Sequence, residues 1–313
     1  MARPPREKYE RLIARVKELP PTPTAVAHPC EASALEGAVD AALMGMIVPI
    51  LVGPRDKIEA VAKAAGLDIS PYEIVDAPHS HAAAEQAVEL VRCGRAEMLM
   101  KGSLHTDELM AAVVARDTGL RTERRISHCF ILDVPSYPKP LIVTDAAINV
   151  FPTLVDKIDI TKNAIDLAHA LGIARPKVAI MSAMETVNPK VPSTLEAAAL
   201  CKMADRGQIT GADLDGPLAL DNAIDPEAAR VKGIVSPVAG QADILVVPDL
   251  EAGNMLAKSL TFMADADSSG IVMGARVPIT LTSRADTVQA RLASCAVASL
   301  VAHYRRTHPE KAT

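Results

Sequence analysis

The stretch that decides the fold is residues 36–65, EGAVDAALMGMIVPILVGPRDKIEAVAKAA. At its centre, Met46–Val52 is an apolar run that ends in a Gly-Pro pair, as is typical of a buried β-strand followed by a turn. The flanking residues 36–45 and 56–65 have the apolar spacing of helices. A helix–strand–helix order of this kind indicates a parallel sheet covered by helices.

The same alternation continues along the chain. Further apolar runs predict strands at 25–27, 97–100, 126–132, 141–143, 178–181, 244–247 and 277–282. Predicted helices cover 6–18, 81–92, 194–205 and about 286–305. Ser193 precedes the third of these helices in a capping-box pattern. The fold class predicted from this pattern is α/β.

Length and composition place the chain among compact globular proteins. It has 313 residues, of which 49% are hydrophobic and 23% charged, so it can bury a sizeable core. At about 150 residues per domain, this length predicts two domains. The net charge is −5 and aromatic residues make up 2%, so we expect no nucleic-acid partner.

The sequence also predicts a cytoplasmic protein without a membrane anchor. Its longest uncharged apolar run, residues 41–53, is shorter than the roughly 20 residues that a spanning helix needs. The charged start, MARPPREKYERL, is not followed by the apolar segment of a secretory signal. Five cysteines without close pairs favour reduced thiols over disulfides.

Residues 100–108, MKGSLHTDE, form the first segment suited to binding an anion. A strand ends, a short loop follows, and a helix begins with Thr106 as its predicted N-cap. Free backbone N–H groups at such a helix start, with Lys101 and Ser103 beside them, suit a phosphate group. The alternative is an ordinary connection in which the acidic residues of the first turn satisfy the helix dipole.

The second segment is cationic and covers residues 121–128, RTERRISH. Guanidinium groups match the geometry of phosphate oxygens. Arg125 directly precedes a predicted strand and is expected to face a ligand, whereas Arg121 and Arg124 are expected to be solvated.

The third segment is residues 277–287, VPITLTSRADT, where a predicted strand leads into the last helix. Ser283 and Arg284 would then lie at the edge where open α/β sheets bind ligands. A cation at a helix N-terminus is unfavourable unless an anion joins it, so capping does not explain Arg284. The alternative makes Ser283 a turn residue and either Asp286 or Thr287 the N-cap.

No metal site is predicted. His79 and His81 have a metal-like spacing, but no acidic or cysteine partner lies near them in the sequence. Motifs of serine hydrolases, zinc proteases and EF-hands do not occur.

The chain resembles the phosphate acetyl/butyryltransferases, or phosphotransacetylases, over about residues 25–305. The segments that carry the resemblance are MKGSLHT (100–106), RRISHCFIL (124–132), TDAAINVFPT (144–153), DLDGPLALDNAI (213–224), SPVAGQADILVVPDLEAGN (236–254) and SSGIVMGARVPITLTSRAD (268–286).

This resemblance implies two α/β/α lobes with the active site in a cleft between them, as in the isocitrate and isopropylmalate dehydrogenases. The first lobe would be discontinuous, residues 1–133 and 272–313, and the second would be residues 134–271. Members of the family are commonly homodimers, so a homodimer is expected.

The implied reaction is the reversible transfer of an acetyl or butyryl group between coenzyme A (CoA) and inorganic phosphate. The CoA thiolate would attack the acyl phosphate directly, with CoA as substrate and without a metal or bound cofactor. The protein must then hold two anions together and stabilise an oxyanion. Cations near the thiol, such as Arg284, would lower its pKa.

The resemblance also implies roles for individual residues. Ser283 and Arg284 match the Ser-Arg pair of the family, in which Ser hydrogen-bonds the reacting centre and Arg holds phosphate. Arg125 matches a phosphate-binding arginine.

The chain departs from the acetyl-specific members at two positions. Their proposed thiol base is Ala290 here, and a cysteine of theirs is Ala146, as in the butyryltransferase branch. The proton acceptor therefore stays open, with Asp286 as the nearest carboxylate in the sequence.

Two other functions stay open. A metal- and NAD-dependent dehydrogenase of a phosphorylated hydroxy acid would need carboxylates or histidines that converge on a divalent ion. A catalytically inactive CoA-binding protein would result if the change at Ala290 had abolished activity.

Overall fold

Helices and strands alternate along the chain, which the computed structural model describes for residues 7–281 and 287–309. The helices are α1 (Glu7–Lys17), α2 (Ala32–Leu43), α3 (Arg55–Ala65), α4 (Ser80–Arg92), α5 (Thr106–Val114), α6 (Leu154–Ala170), α7 (Pro192–Asp205), α8 (Leu220–Ile224), α9 (Pro226–Val231), α10 (Leu250–Met263) and α11 (Val288–Thr307). The strands are β1 (Thr22–Ala27), β2 (Ile47–Gly53), β3 (Glu73–Asp76), β4 (Met98–Lys101), β5 (Ser127–Asp133), β6 (Leu141–Thr144), β7 (Lys177–Met181), β8 (Asp213–Leu218), β9 (Ile244–Val246), β10 (Asp267–Met273) and β11 (Ile279–Thr280).

The predicted start of α7 is wrong. The helix begins at Pro192, and its N-cap Val191 makes no side-chain capping bond. Proline is favoured in the first turn because the missing N–H would have no helical partner there. Ser193 does not cap the helix, and its hydroxyl instead lies 2.9 Å from the Ser182 hydroxyl.

Internal contacts group the chain into two compact units, Met1–Arg124 with Ser269–Thr313, and Arg125–Ser268. The lobe boundaries expected from the family resemblance stay a prediction. No helix among the described residues combines the length and apolar character needed to cross a membrane.

The first unit contains strands in the order β3-β2-β1-β4-β11-β10. All neighbours are parallel except β10, which pairs antiparallel with β11. Apolar residues from adjacent strands are fully buried, among them Val26, Leu51, Leu99 and Ile279. β4 is buried on both faces and β2 nearly so, which explains why the sequences of these two strands are almost continuous apolar runs.

The order in which strands are added to this sheet reverses between β1 and β4, although the two strands are parallel. It steps outward from β1 to β2 and β3, and then returns past β1 to form β4. The carboxyl ends of β1 and β4 are therefore adjacent at a topological switch point, where open α/β sheets bind ligands.

Gly102 allows the two strand ends to approach closely. Its N–H donates to Ala27 O at 2.8 Å. A Cβ at this position would lie 2.3 Å from the same oxygen, so a larger residue does not fit without moving the backbone.

The second unit contains strands in the order β5-β6-β9-β7-β8. β5 is antiparallel to β6, and the other pairs are parallel. The carboxyl ends of β6 and β9 are adjacent, since Val247 N donates to Thr144 O at 2.9 Å. Helix α10 packs closely over this point, because a Cβ on Gly253 would lie only 2.9 Å from the Ala146 Cβ.

Candidate functional site

Ser103 joins the carboxyl ends of β1 and β4 in the first unit. Its hydroxyl donates to His28 O at 2.7 Å and accepts from Cys30 N at 3.1 Å. Its backbone N–H also donates to His28 O, at 2.9 Å. Ser103 thus lies at the predicted strand end, with its hydroxyl proton directed to the backbone of the loop after β1.

Lys101 places a buried cation at the same edge. It is the last residue of β4, pairs in register with Ala27 and is only 6% exposed. Its Nζ donates to Gly102 O at 3.4 Å. A buried ammonium group needs polar or anionic neighbours, and Gly102 O is one of them.

The Glu108 side chain binds the backbone at the start of α5. Its N-cap is His105, one residue before the predicted Thr106. The Glu108 carboxylate accepts from His105 N at 3.1 Å and from Ser80 Oγ at 3.2 Å. An acidic residue of the first turn thus interacts with the helix start, as in the ordinary connection that the sequence left open. The anion site at this segment stays a prediction.

His28, which sequence reasoning missed, lies directly after β1. Its φ of 54° is in the left-handed region, which residues other than glycine rarely adopt. Its Nδ1 lies 3.3 Å from Ser103 Oγ. Burial, and then the positive charge of Lys57, lower the pKa of the imidazole. The signal that could have found His28 is its position at the end of a predicted strand.

Cys30 lies in the same loop, but its environment does not activate the thiol. Burial raises the pKa of Cys30 to about 11. A reactive cysteine requires the thiolate form, which this environment disfavours.

Ser283, Arg284 and Asp286 lie outside the described residues. The strand that precedes them, β11, pairs with β4 at Thr280 and Met100, next to Lys101. After them, Thr287 is the N-cap of α11, and its hydroxyl accepts from Ala290 N at 3.1 Å.

Arg125 is the predicted site residue of the second unit. Its Nε donates to Asn149 Oδ1 at 2.7 Å, and its Nη1 lies 3.3 Å from Asp156 Oδ1. Its own backbone N–H donates to Asp159 at 2.9 Å. The guanidinium is half exposed and held on one side by a polar cluster. Arg121 is exposed, as expected.

The polar cluster is built by the loop that follows β6, residues 145–149. Asp145 is buried, and its carboxylate accepts from the backbone N–H groups of Ala147, Ile148 and Asn149. It also accepts from Asn149 Nδ2 at 2.6 Å. The sequence showed this segment only as part of the family resemblance, and Asn149 was not predicted as a site residue.

Among 7–281 and 287–309, no three side chains of His, Cys, Asp or Glu converge to hold a metal ion.

Comparisons with known proteins give consistent results. A family model described as phosphate acetyl/butaryl transferase matches residues 79–299. The chain is 66% identical over 299 residues to the phosphate acetyltransferase of Rhizobium meliloti, which covers 96% of this chain and 95% of that protein. It is 44% identical over 296 residues to the phosphate butyryltransferase of Clostridium acetobutylicum, with coverage of 95% and 98%.

Solved structures extend the similarity to the fold. A branched-chain phosphotransacylase from Enterococcus faecalis V583 is 32% identical with a TM-score of 0.79, and the match covers 90% of this chain and 99% of that chain. A 4-hydroxythreonine-4-phosphate dehydrogenase from Burkholderia phymatum, at 12% identity, has a TM-score of 0.56, with coverage of 90% and 98%. The second likeness concerns the fold alone. The predicted α/β fold class is confirmed.

Proposed function

Because the chain belongs to the phosphate acetyl/butyryltransferase family, we propose that it catalyses the reversible transfer of a short acyl group between CoA and inorganic phosphate. The observation that carries this proposal is the 66% identity to a phosphate acetyltransferase over 96% of the chain. CoA and acyl-CoA are substrates in this reaction, and no bound cofactor is part of the proposal.

In the direction of acyl phosphate synthesis, a phosphate oxygen attacks the thioester carbonyl. The C–S bond then breaks, and the thiolate leaves with its electron pair. The protein has to bring two anionic substrates together and stabilise the oxyanion that forms at the carbonyl. We assign phosphate binding to Lys101, Ser103 and Arg125. Lys101 and Arg125 supply positive charge, and Ser103 would have to turn its hydroxyl proton from His28 O toward the phosphate.

We assign the reacting centre to the segment after β11. Ser283 would hydrogen-bond the oxyanion, and Arg284 would neutralise phosphate and favour the thiolate form of CoA. Asp286 would exchange the thiol proton, since the family's carboxylate position is Ala290 here.

The acyl group that we propose is acetyl. Identity is higher to the relative called phosphate acetyltransferase, at 66%, than to the one called phosphate butyryltransferase, at 44%. Ala146 and Ala290 resemble the butyryltransferase branch, so the two expectations differ and an experiment can separate them.

A thiol-release assay with phosphate and either acetyl-, propionyl- or butyryl-CoA tests the function. We expect phosphate-dependent release of CoA, fastest from acetyl-CoA. Omitting phosphate is the control, because simple thioester hydrolysis would continue without it. Absence of release from all three thioesters would contradict the proposed function, and faster release from butyryl-CoA would contradict the acetyl preference.

We further propose a cytoplasmic homodimer whose subunits have the two lobes given by residues 1–133 with 272–313, and 134–271. The five cysteines are all free, which fits a reducing compartment. Helix α10 exposes the apolar side chains of Met255, Phe262 and Met263, which a second copy of the chain would cover.

A further inference from the structure

The Arg125 guanidinium is held at one end and open at the other. Its Nε donates to Asn149 Oδ1, and its Nη1 lies 3.3 Å from Asp156 Oδ1. Nη2 has no hydrogen-bond partner in the part of the chain that the structure describes. Because the side chain is half exposed, donor N–H groups stay available for an anion from outside the protein.

Asn149 is fixed in the one orientation that can hold Arg125. It is 4% exposed, and its Nδ2 donates to Asp145 Oδ2 at 2.6 Å and to Ile126 O at 2.9 Å. Both partners can only accept, so the amide nitrogen must face them and Oδ1 must face the Arg125 Nε. A flipped amide would oppose oxygen to oxygen at both contacts.

The Asp145 carboxylate that holds Asn149 is itself fixed by backbone hydrogen bonds. Besides Asn149, its carboxylate accepts from Ala147 N at 2.9 Å and Ile148 N at 3.1 Å. The buried carboxylate, the amide and the guanidinium therefore form one chain of hydrogen bonds that starts in the protein interior and ends at a half-exposed cation.

We propose that Asn149 is a positioning residue that orients the Arg125 guanidinium toward an oxyanion of the phosphate substrate. This inference rests on the proposed function. Without the bond to Nε, the flexible arginine would turn toward the Asp156 carboxylate, its remaining partner. The planar donor fork matches phosphate oxygens only in a narrow range of orientations, so fixing its plane strengthens phosphate binding.

Asn163 provides a matched control. It is also a buried asparagine, and its Nδ2 donates to Arg125 O and to Ser127 Oγ, each at 2.8 Å. It therefore holds the backbone of Arg125 and not the guanidinium. Asn163→Ala should lower thermal stability in the same way as Asn149→Ala, while leaving the bond to Nε in place.

The test compares wild type, Asn149→Ala, Asn163→Ala, Arg125→Ala and the double variant Asn149→Ala/Arg125→Ala. KM for phosphate, KM for acetyl-CoA, kcat and Tm are measured for each. We expect Asn149→Ala to raise KM for phosphate about tenfold, on the scale of one hydrogen bond to a charged group, with a smaller change in KM for acetyl-CoA. The double variant should match Arg125→Ala, since Asn149 acts only through Arg125.

Three results would overturn the inference. In the first, Asn149→Ala raises KM for phosphate no more than Asn163→Ala does. In the second, the increases in KM for phosphate from Asn149→Ala and Arg125→Ala multiply in the double variant. In the third, only KM for acetyl-CoA rises, which would assign Arg125 to a phosphate of CoA. Failure of the proposed function is a separate result, seen as absence of thiol release by the wild type. In that case, the affinity for inorganic phosphate, measured by calorimetry, replaces KM. We then expect Asn149→Ala to bind phosphate more weakly than Asn163→Ala does, and the double variant to match Arg125→Ala.

Discussion

His128 is a buried residue whose protonation affects folding. It is 3% exposed, and its Nδ1 has no hydrogen-bond partner within the described part of the chain. Burial lowers the pKa of His128 to about 4, although the Asp145 carboxylate acts in the opposite direction. Histidine in an unfolded chain titrates near pH 6.5. Between pH 6.5 and pH 4 the unfolded chain therefore binds a proton at His128 that the folded chain does not. The free energy of unfolding consequently falls as the pH is lowered through this range and is unaffected by His128 above it.

His128→Leu should remove this pH dependence. We expect wild type to lose a few kcal/mol of unfolding free energy from this group between about pH 6.5 and pH 4, and the variant to lose less. Urea unfolding at a series of pH values measures the difference. His105→Gln, at an exposed position, is the control and should follow wild type. Parallel profiles for His128→Leu and wild type would contradict the assignment.

Arg284→Ala should lower turnover far more than stability. Removing a group that stabilises charge in the transition state costs about 100-fold or more in kcat. Arg276→Ala is the matched control, because Arg276 is an exposed arginine that precedes β11, whereas Arg284 follows it. Thiol-release rates and Tm are compared for both variants. An unchanged rate in Arg284→Ala removes this residue from the mechanism.

At the scale of elements, the β4–α5 connection depends on Gly102. A Cβ there would lie 2.3 Å from Ala27 O and 2.5 Å from His28 O, and both atoms belong to the backbone. Gly102→Ala should therefore shift the loop that carries Ser103 and the end of β4 that carries Lys101.

We expect Gly102→Ala to lower the unfolding free energy by about 3 kcal/mol and to reduce thiol release. Gly66→Ala is the control. Its φ of +69° disfavours a side chain, but a Cβ there meets open space, so about 1 kcal/mol is expected without loss of activity. Urea unfolding and the thiol assay measure both effects. If both variants lost the same unfolding free energy and the same thiol-release activity, the close approach of the backbone at Gly102 would not be needed for stability or activity.

Elements with a strong local pattern were predictable from the sequence. β2 is predicted at 46–52 and lies at Ile47–Gly53, because all its residues except Val48 are buried and a Gly-Pro pair ends it. Helix α6 was not predicted, although it has 17 residues. Its buried residues include Lys157, Thr161 and Asn163, so no simple apolar stripe marks it.

The same reasoning explains which residues of the candidate site can be predicted from the sequence. Lys101 and Arg125 are charged residues beside apolar strands, which is a local signal in the sequence. His28 and Asn149 gain their importance from partners far along the chain, 75 residues away at Ser103 and 24 residues away at Arg125. Such contacts depend on the order of strands in each sheet, which local patterns do not contain.

At the scale of the whole molecule, both units use the same physical arrangement. In each, polar residues gather in a loop at the carboxyl ends of two adjacent parallel strands. In the first unit these are β1 and β4, with Lys101, and in the second they are β6 and β9, with the loop 145–149 that holds Arg125. Loops at these ends are free to carry polar groups, because the strands themselves are buried and apolar.

The proposed homodimer makes a prediction about α10. Met255 and Phe262 are seven residues apart, so they share one face of the helix, and Phe262 is 80% exposed. Phe262→Glu should place a charge in the interface and produce monomers, whereas Leu43→Glu, at a leucine that is 77% exposed in the first unit, should not. Light scattering after gel filtration should give twice the 33.0 kDa chain mass for wild type and Leu43→Glu. A monomeric wild type would contradict the homodimer. A dimeric Phe262→Glu variant would exclude this face of α10 from the interface, because burying an unpaired carboxylate there would cost several kcal/mol in each subunit.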